Sequence, residues 1–358
     1  MIKDLEIQSY RGKYTVEFVE DCTASLSKTL KTGDQIIADQ NVLSLYPGIA
    51  QAIENFQVIL IEAKESSKSY EGVIPIIDEV INRGFTKKNR LIGIGGGIAQ
   101  DVTAFTASIL LRGVDWIFYP TNLLAQCDSC IGSKTSINFR EYKNQLGGFF
   151  PPKQIYVDCK LLKSLPKKEI QSGLGEMLHY FLVTDEVSFE WMRERIDSAL
   201  VESDILAEMV SKNLAIKKEM IELDEFDIGP RNIFNYGHSF GHALESTTEY
   251  SVPHGIAVSY GMDLANLISV NLGLVTPSFR NDVRSVLAKV WVETPLPEID
   301  FEKFLEALSK DKKNEGSETK VILTKGYGEM FKSTLQLDQE TKRLIELFFS
   351  EKLYQKNI

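Results

Sequence analysis

The chain has 358 residues, 43% of them apolar and 25% charged, with a formal net charge of −10. That is long for one core and comfortable for two domains, while the acidic balance argues against a nucleic-acid partner, because phosphate backbones are held by clustered Lys and Arg. The amino end, MIKDLEIQSYRGKYTVEF, has no apolar leader and the longest apolar runs, such as Val58 to Ile61, are too short to span a bilayer; a cytoplasmic protein without a membrane partner is expected.

In chain order, residues 56–62 read as strand, 72–82 as helix, 91–94 as strand, 98–111 as helix and 116–119 as strand. Short apolar runs alternating with amphipathic stretches predict a parallel sheet wrapped by helices. Beyond about Lys160 the pattern lengthens to helical periods over 167–182, 206–223 and 341–353, with few β-branched runs. We therefore expect an α/β domain over 1–160 and an all-α domain over 161–358. No low-complexity linker separates them, which predicts a packed cleft near 155–165, the kind of place ligand sites favour.

Within the first half, Arg90-Leu-Ile-Gly-Ile-Gly-Gly-Gly-Ile-Ala-Gln-Asp101 places Gly95, Gly96 and Gly97 between a buried strand and a helix. Residues without a Cβ let the backbone approach a pyrophosphate, and the helix N-terminus supplies amide donors. Lys134, Lys143 and Asn144 follow in Gly- and Ser-rich surroundings and read as a small-residue loop in which a Lys meets phosphate. Cys127 and Cys130 form a lone C-x-x-C, best read as small buried thiols.

All four histidines, His179, His238, His242 and His254, fall in one region of the second half. Glu176 and His179 share a helix face at i and i+3, His238 and His242 at i and i+4. One carboxylate with two imidazoles is a catalytic zinc set that keeps a position open for substrate. Spacing leaves open which two histidines ligate.

Together, G-G-G-x-x-x-D, L-R-G-V-D, the Pro120 to Thr135 stretch P-T-x-L-L-A-x-x-D-S-x-x-G-x-K-T, K-N-x-x-G, S-G-L-G-E, R-N-x-x-N-x-G-H-S-x-G-H-A-x-E and D-K-K-N resemble the 3-dehydroquinate synthase family of sugar phosphate cyclases, from about Asp39 to Gly326. The resemblance implies a Rossmann-like NAD-binding α/β domain, a C-terminal helical metal-binding domain with the active site between them, and a homodimer. It implies zinc, with cobalt admitted by the same donors, on Glu176, His238 and His254, and His242 on the substrate phosphate. NAD would contact Asp39, Asn41, Glu65, Lys68, Gly95, Gly96, Gly97, Asp101, Thr121 and Asp128, with Lys134 and Lys143 nearby. The substrate pocket would draw on Asp128, Lys134, Lys143, Asn144, Lys217, Arg231, Asn235, His242 and one or both of Lys312 and Lys313, with Arg112 reaching the phosphate across the dimer.

In such a family NAD oxidises a hydroxyl to a ketone, phosphate is eliminated, the hydride returns, and an intramolecular aldol step closes the carbocycle. Arg231 and Lys217 suit a carboxylate, favouring 3-deoxy-D-arabino-heptulosonate 7-phosphate over a neutral heptulose or amino-sugar phosphate. Three positions depart from the family. His179 stands where Lys is usual, Asp227 where Glu is usual, both expected on the substrate side, and Gln100 where Gly is usual. These departures raise the expectation of an altered substrate. The competing readings are an NAD-dependent, metal-containing polyol dehydrogenase, whose ligands typically run Asp then His at i and i+4, and a non-catalytic homologue, which the retained Glu176, His238 and His254 disfavour.

Overall fold

The computed structural model describes residues 2–140, 142–309 and 318–350. They divide into two compact units, one comprising residues up to Leu165 together with Val210–Phe226, the other Pro166–Met209 together with residues from Asp227 onward.

The first unit is built on a seven-stranded sheet in the order β1-β2-β9-β6-β5-β3-β4. Its strands are β1 (Leu5–Ser9), β2 (Gly12–Phe18), β3 (Gln35–Asp39), β4 (Gln57–Ile61), β5 (Leu91–Gly95), β6 (Trp116–Pro120) and β9 (Gln154–Val157). All pairings are parallel except that of β1 with β2. The central strands QIIAD, LIGIG and WIFYP are buried at every position. With both faces covered, they read as continuous apolar runs and not as an alternation. A separate antiparallel hairpin joins β7 (Lys134–Phe139) to β8 (Tyr142–Phe149).

The second unit is mostly helical, with Lys167–Thr184, His238–Thr247 and His254–Asn271 at its centre. Two features correct the sequence reading. The unit expected to be all-α carries an antiparallel hairpin of β10 (Glu318–Thr324) and β11 (Met330–Gln336). The boundary at 160/161 also fails to capture the chain's path, because the Ser203–Leu223 helix changes allegiance: from Val210 on it packs with the first unit. There Asn213 and Lys217 hydrogen-bond the backbone of Cys127 and Asp128, an attraction no helical periodicity encodes. No helix among the described residues is long and apolar enough to cross a membrane.

Candidate functional site

In the helical unit the backbones of three helices approach within contact distance at glycines. A Cβ on Gly175 would stand 2.3 Å from the Gly255 carbonyl oxygen, one on Gly255 1.8 Å from that of Ser172, and one on Gly261 2.1 Å from that of Gly237. Any larger residue would force these helices apart. Each candidate ligand adjoins one of these glycines: Glu176 follows Gly175, His238 follows Gly237, and His254 precedes Gly255. His238 and His254 are also the first residues of their helices, set by Gly237 in the left-handed region (φ 82°) and by Pro253.

The close packing brings one donor atom each from Glu176, His238 and His254 within 4.8 Å of one another. His238 Nε2 lies 3.4 Å from Glu176 Oε1, and His254 Nε2 3.4 Å from Oε2. Glu176 is buried, and among the described residues its Oε2 has no hydrogen-bond donor. Burial pushes its pKa up, but the imidazoles of His238, His179 and His254 outweigh that and hold the carboxyl well below the usual carboxylate range. An ionised buried carboxylate facing two imidazole nitrogens, with one oxygen lacking a donor, is a donor set that a divalent cation would satisfy.

His179 is fully buried against Tyr180, Phe234 and His238, with Nδ1 3.7 Å from Glu176 Oε1. The residue expected on the substrate side thus lies in the wall around the carboxylate. His242 is exposed, its ring 5.5 Å from that of His238 and 5.6 Å from that of His254. A second group of donors, His242, Glu245 and His254, also falls within 4.8 Å. Arg231 is buried in the Pro230–Asn235 turn, Asn235 donates to the Asn232 carbonyl (3.0 Å), and Asp227 sits at a left-handed φ of 56° with its carbonyl accepting from Asn232.

In the sheet-based unit, Asp39, Gly95 and Thr121 stand at the carboxyl ends of the neighbouring strands β3, β5 and β6, tied by Thr121 N–H to the Gly95 carbonyl at 3.0 Å. The chain order reverses between β3 and β5, which is where open α/β sheets take ligands. Asp39 accepts from Asn41 N–H at 2.9 Å, and burial raises its pKa against that bond. The Gly97–Ile109 helix begins here without a side-chain cap, leaving amide donors at its start. A Cβ on Gly97 would meet only Ser129 Oγ, at 4.0 Å, so packing does not demand glycine there.

Beside this turn Lys68 pairs with Asp101 at 2.5 Å, Asn138 donates to Glu65 at 2.8 Å, and Asn138 Oδ1 accepts from Asn144 N–H at 2.9 Å. Lys143 Nζ is 3.8 Å from Glu65. Burial raises the Asp101 pKa against the pull of Lys68. Lys134, Lys143 and Asn144, expected in a loop, lie instead on the β7–β8 hairpin, with Lys134 exposed at its start and Asn144 at φ 53°. Ladder pairing from Lys134 to Phe149 overrides the small-residue composition.

Asp128 rides on a wide turn, Ala125–Ser129, closed by Cys130 N–H onto the Ala125 carbonyl at 3.1 Å. Three successive carbonyls of this turn are met by side chains. Asn213 donates to the carbonyl of Cys127 (2.7 Å), Lys217 to that of Asp128 (2.6 Å), and Gln100 to that of Ser129 (2.5 Å). Ser129 Oγ returns a bond to Gln100 Oε1 at 2.7 Å, and Lys217 Nζ also reaches Asp128 Oδ1 at 2.7 Å. Lys217, which the resemblance pairs with Arg231 on a substrate carboxylate, is engaged on Asp128. Arg112 is exposed at φ 66°. Cys127 and Cys130 are buried and not joined in a disulfide, and burial pushes the Cys130 thiol up to about 12, as an inert core thiol should be. Lys312 and Lys313 lie outside the described residues. Sequence reasoning passed over Asn213, took Gln100 only as a departure, and had Glu245 only as the last residue of a motif, with no role, although it stands two helical turns after His238.

The N-terminal 3-dehydroquinate synthase family model matches residues 58–172 and the C-terminal one residues 173–314. The 3-dehydroquinate synthase of Alkaliphilus metalliredigens is 33% identical over 334 residues, 91% of this chain and 94% of that protein. Among solved structures, 2-deoxy-scyllo-inosose synthase complexed with carbaglucose-6-phosphate, NAD+ and Co2+ superposes with a TM-score of 0.87 at 23% identity, covering 98% of this chain and 100% of that one. The 2-epi-5-epi-valiolone synthase of Streptomyces hygroscopicus, with NAD+ and Zn2+ bound, gives a TM-score of 0.84 at 25% identity, covering 95% and 97%.

Proposed function

This chain belongs to the 3-dehydroquinate synthase family of carbon–oxygen lyases, and from that premise we propose that it converts 3-deoxy-D-arabino-heptulosonate 7-phosphate, or a close variant, to 3-dehydroquinate with loss of phosphate, using NAD and zinc or cobalt. The observation that carries the reading is the convergence of His238 and His254 on the buried carboxylate of Glu176. These three residues would hold the metal. NAD would lie at the β3–β5 switch, with its pyrophosphate at the uncapped start of the Gly97–Ile109 helix and its remaining contacts among Asp39, Thr121, Lys68 and Asp101. Bound there, the metal supplies Lewis acidity and NAD a reversible hydride acceptor.

The chain's own residues do the rest. Asp128 would make a proton or hydroxyl contact from a turn held by Asn213, Lys217 and Gln100, with Lys217 also on its carboxylate. Lys134, Lys143 and Asn144 would meet phosphate as point charges and a donor, joined by His242 and Asn235. Arg231, a buried guanidinium, favours a substrate carboxylate. The exposed Arg112 suits a phosphate contact made by one protomer of a dimer to its partner's substrate.

One solved structure of this fold, 2-deoxy-scyllo-inosose synthase, is complexed with carbaglucose-6-phosphate, so the substrate is the point to test. Phosphate release by the purified protein with NAD and zinc should be rapid with the heptulosonate phosphate and slow with neutral heptulose phosphates. The reverse order would overturn the assignment of Arg231 and the acid substrate together.

A further inference from the structure

His254 stands between two carboxylates, one on each ring nitrogen. Its Nε2 faces Glu176 Oε2 at 3.4 Å, and its Nδ1 lies 3.0 Å from Glu245 Oε2. A carboxylate only accepts, so the bond to Glu245 requires the proton on Nδ1 and leaves the Nε2 lone pair directed toward Glu176. The Glu245 side chain is 12% exposed and that of His254 28%. Glu245 and His238 belong to the same helix, two turns apart, so the element that provides one candidate ligand also orients another. His238 has a weaker counterpart, its Nδ1 lying 3.3 Å from the Tyr236 carbonyl.

We infer that Glu245 is a positioning residue, outside the ligand set, that fixes the tautomer and ring plane of His254 and so strengthens metal binding at Glu176, His238 and His254. The inference rests on the ligand set proposed above. The competing arrangement puts the metal on His242, Glu245 and His254, whose donors also lie within 4.8 Å, and makes Glu245 a ligand. It would leave Glu176 buried among imidazoles with no role.

The test is zinc affinity of the full-length protein, measured by competition with a chromophoric chelator, for the parent and for Glu245→Met, Glu245→Gln and Glu176→Ala. Loss of an outer-shell partner typically costs about 10–100-fold in affinity, so Glu245→Met should weaken zinc by about that much. Glu245→Gln, whose amide oxygen still accepts from Nδ1–H, should recover most of the loss, a rescue that a purely structural role would not produce in folded protein. Unchanged affinity in Glu245→Met, or no recovery in Glu245→Gln, overturns the inference while leaving the ligand set standing. Parent-like affinity in Glu176→Ala, with loss in both Glu245 variants, overturns the ligand set itself. Circular dichroism and a cobalt-substituted visible spectrum on each variant confirm that folded protein is being compared.

Discussion

The two units make their candidate sites in opposite ways. The sheet-based unit spreads its residues over strand ends and the β7–β8 hairpin, where Asn41, Glu65, Lys134 and Asn144 are exposed and Asn138 bridges Glu65 and the Asn144 N–H. The helical unit buries Glu176 at a glycine-mediated crossing of helices. The contrast follows from what each would bind. A long dinucleotide needs open backbone and many modest contacts, whereas a metal needs few ligands held rigidly.

Removal of the buried carboxylate tests the contrast most severely. Glu176→Ala should lower zinc affinity by more than the roughly 100-fold expected for an outer-shell partner and abolish detectable phosphate release; retention of zinc by elemental analysis would break the comparison. Next comes packing at the crossing. Gly255→Ala forces a Cβ to 1.8 Å from the Ser172 carbonyl, where backbone and not a flexible side chain must yield. A destabilisation of about 3 kcal/mol is expected from such overpacking, read from the denaturant midpoint.

Gly97→Ala is the sharpest counterpart, because the added methyl has room. Stability should stay within about 0.5 kcal/mol, as for a surface substitution, while the NAD dissociation constant rises about tenfold, equivalent to 1.4 kcal/mol. Equal binding by calorimetry would mean that the open space is not a ligand cradle. The smallest effect is expected for Gln100→Met, which keeps volume but removes both bonds to Ser129. A loss of about 1 kcal/mol, the usual net worth of a hydrogen bond, should appear in kcat/KM for the sugar phosphate more than in NAD affinity.

Much of this was legible beforehand. Strands over 57–61, 91–95 and 116–120 and the helix from Lys167 match the elements read from periodicity, because each is a local pattern of apolar residues. The hairpin from Lys134 to Phe149 was not read, since its Gly, Ser and Asn content mimics a loop and only ladder pairing reveals the strand. β3 was passed over because QIIAD is short and borders an acidic residue. For the site, motif spacing identified Glu176 and the histidines but left the choice among them open. It put His179 on the helix face of Glu176 but had no means of burying it against Phe234 and His238, or of placing Lys217 on Asp128.

The amino-acid sequence by itself determined the family, the two classes of architecture and the residue types available for chemistry, because these are written in local order and composition. Only the tertiary structure decided that the Ser203–Leu223 helix serves the first unit from Val210 onward, that three glycines bring Glu176, His238 and His254 to one point, and which nitrogen of His254 faces which carboxylate. Ring orientation and helix allegiance depend on contacts between residues far apart in the chain, and no periodicity within one segment carries that information.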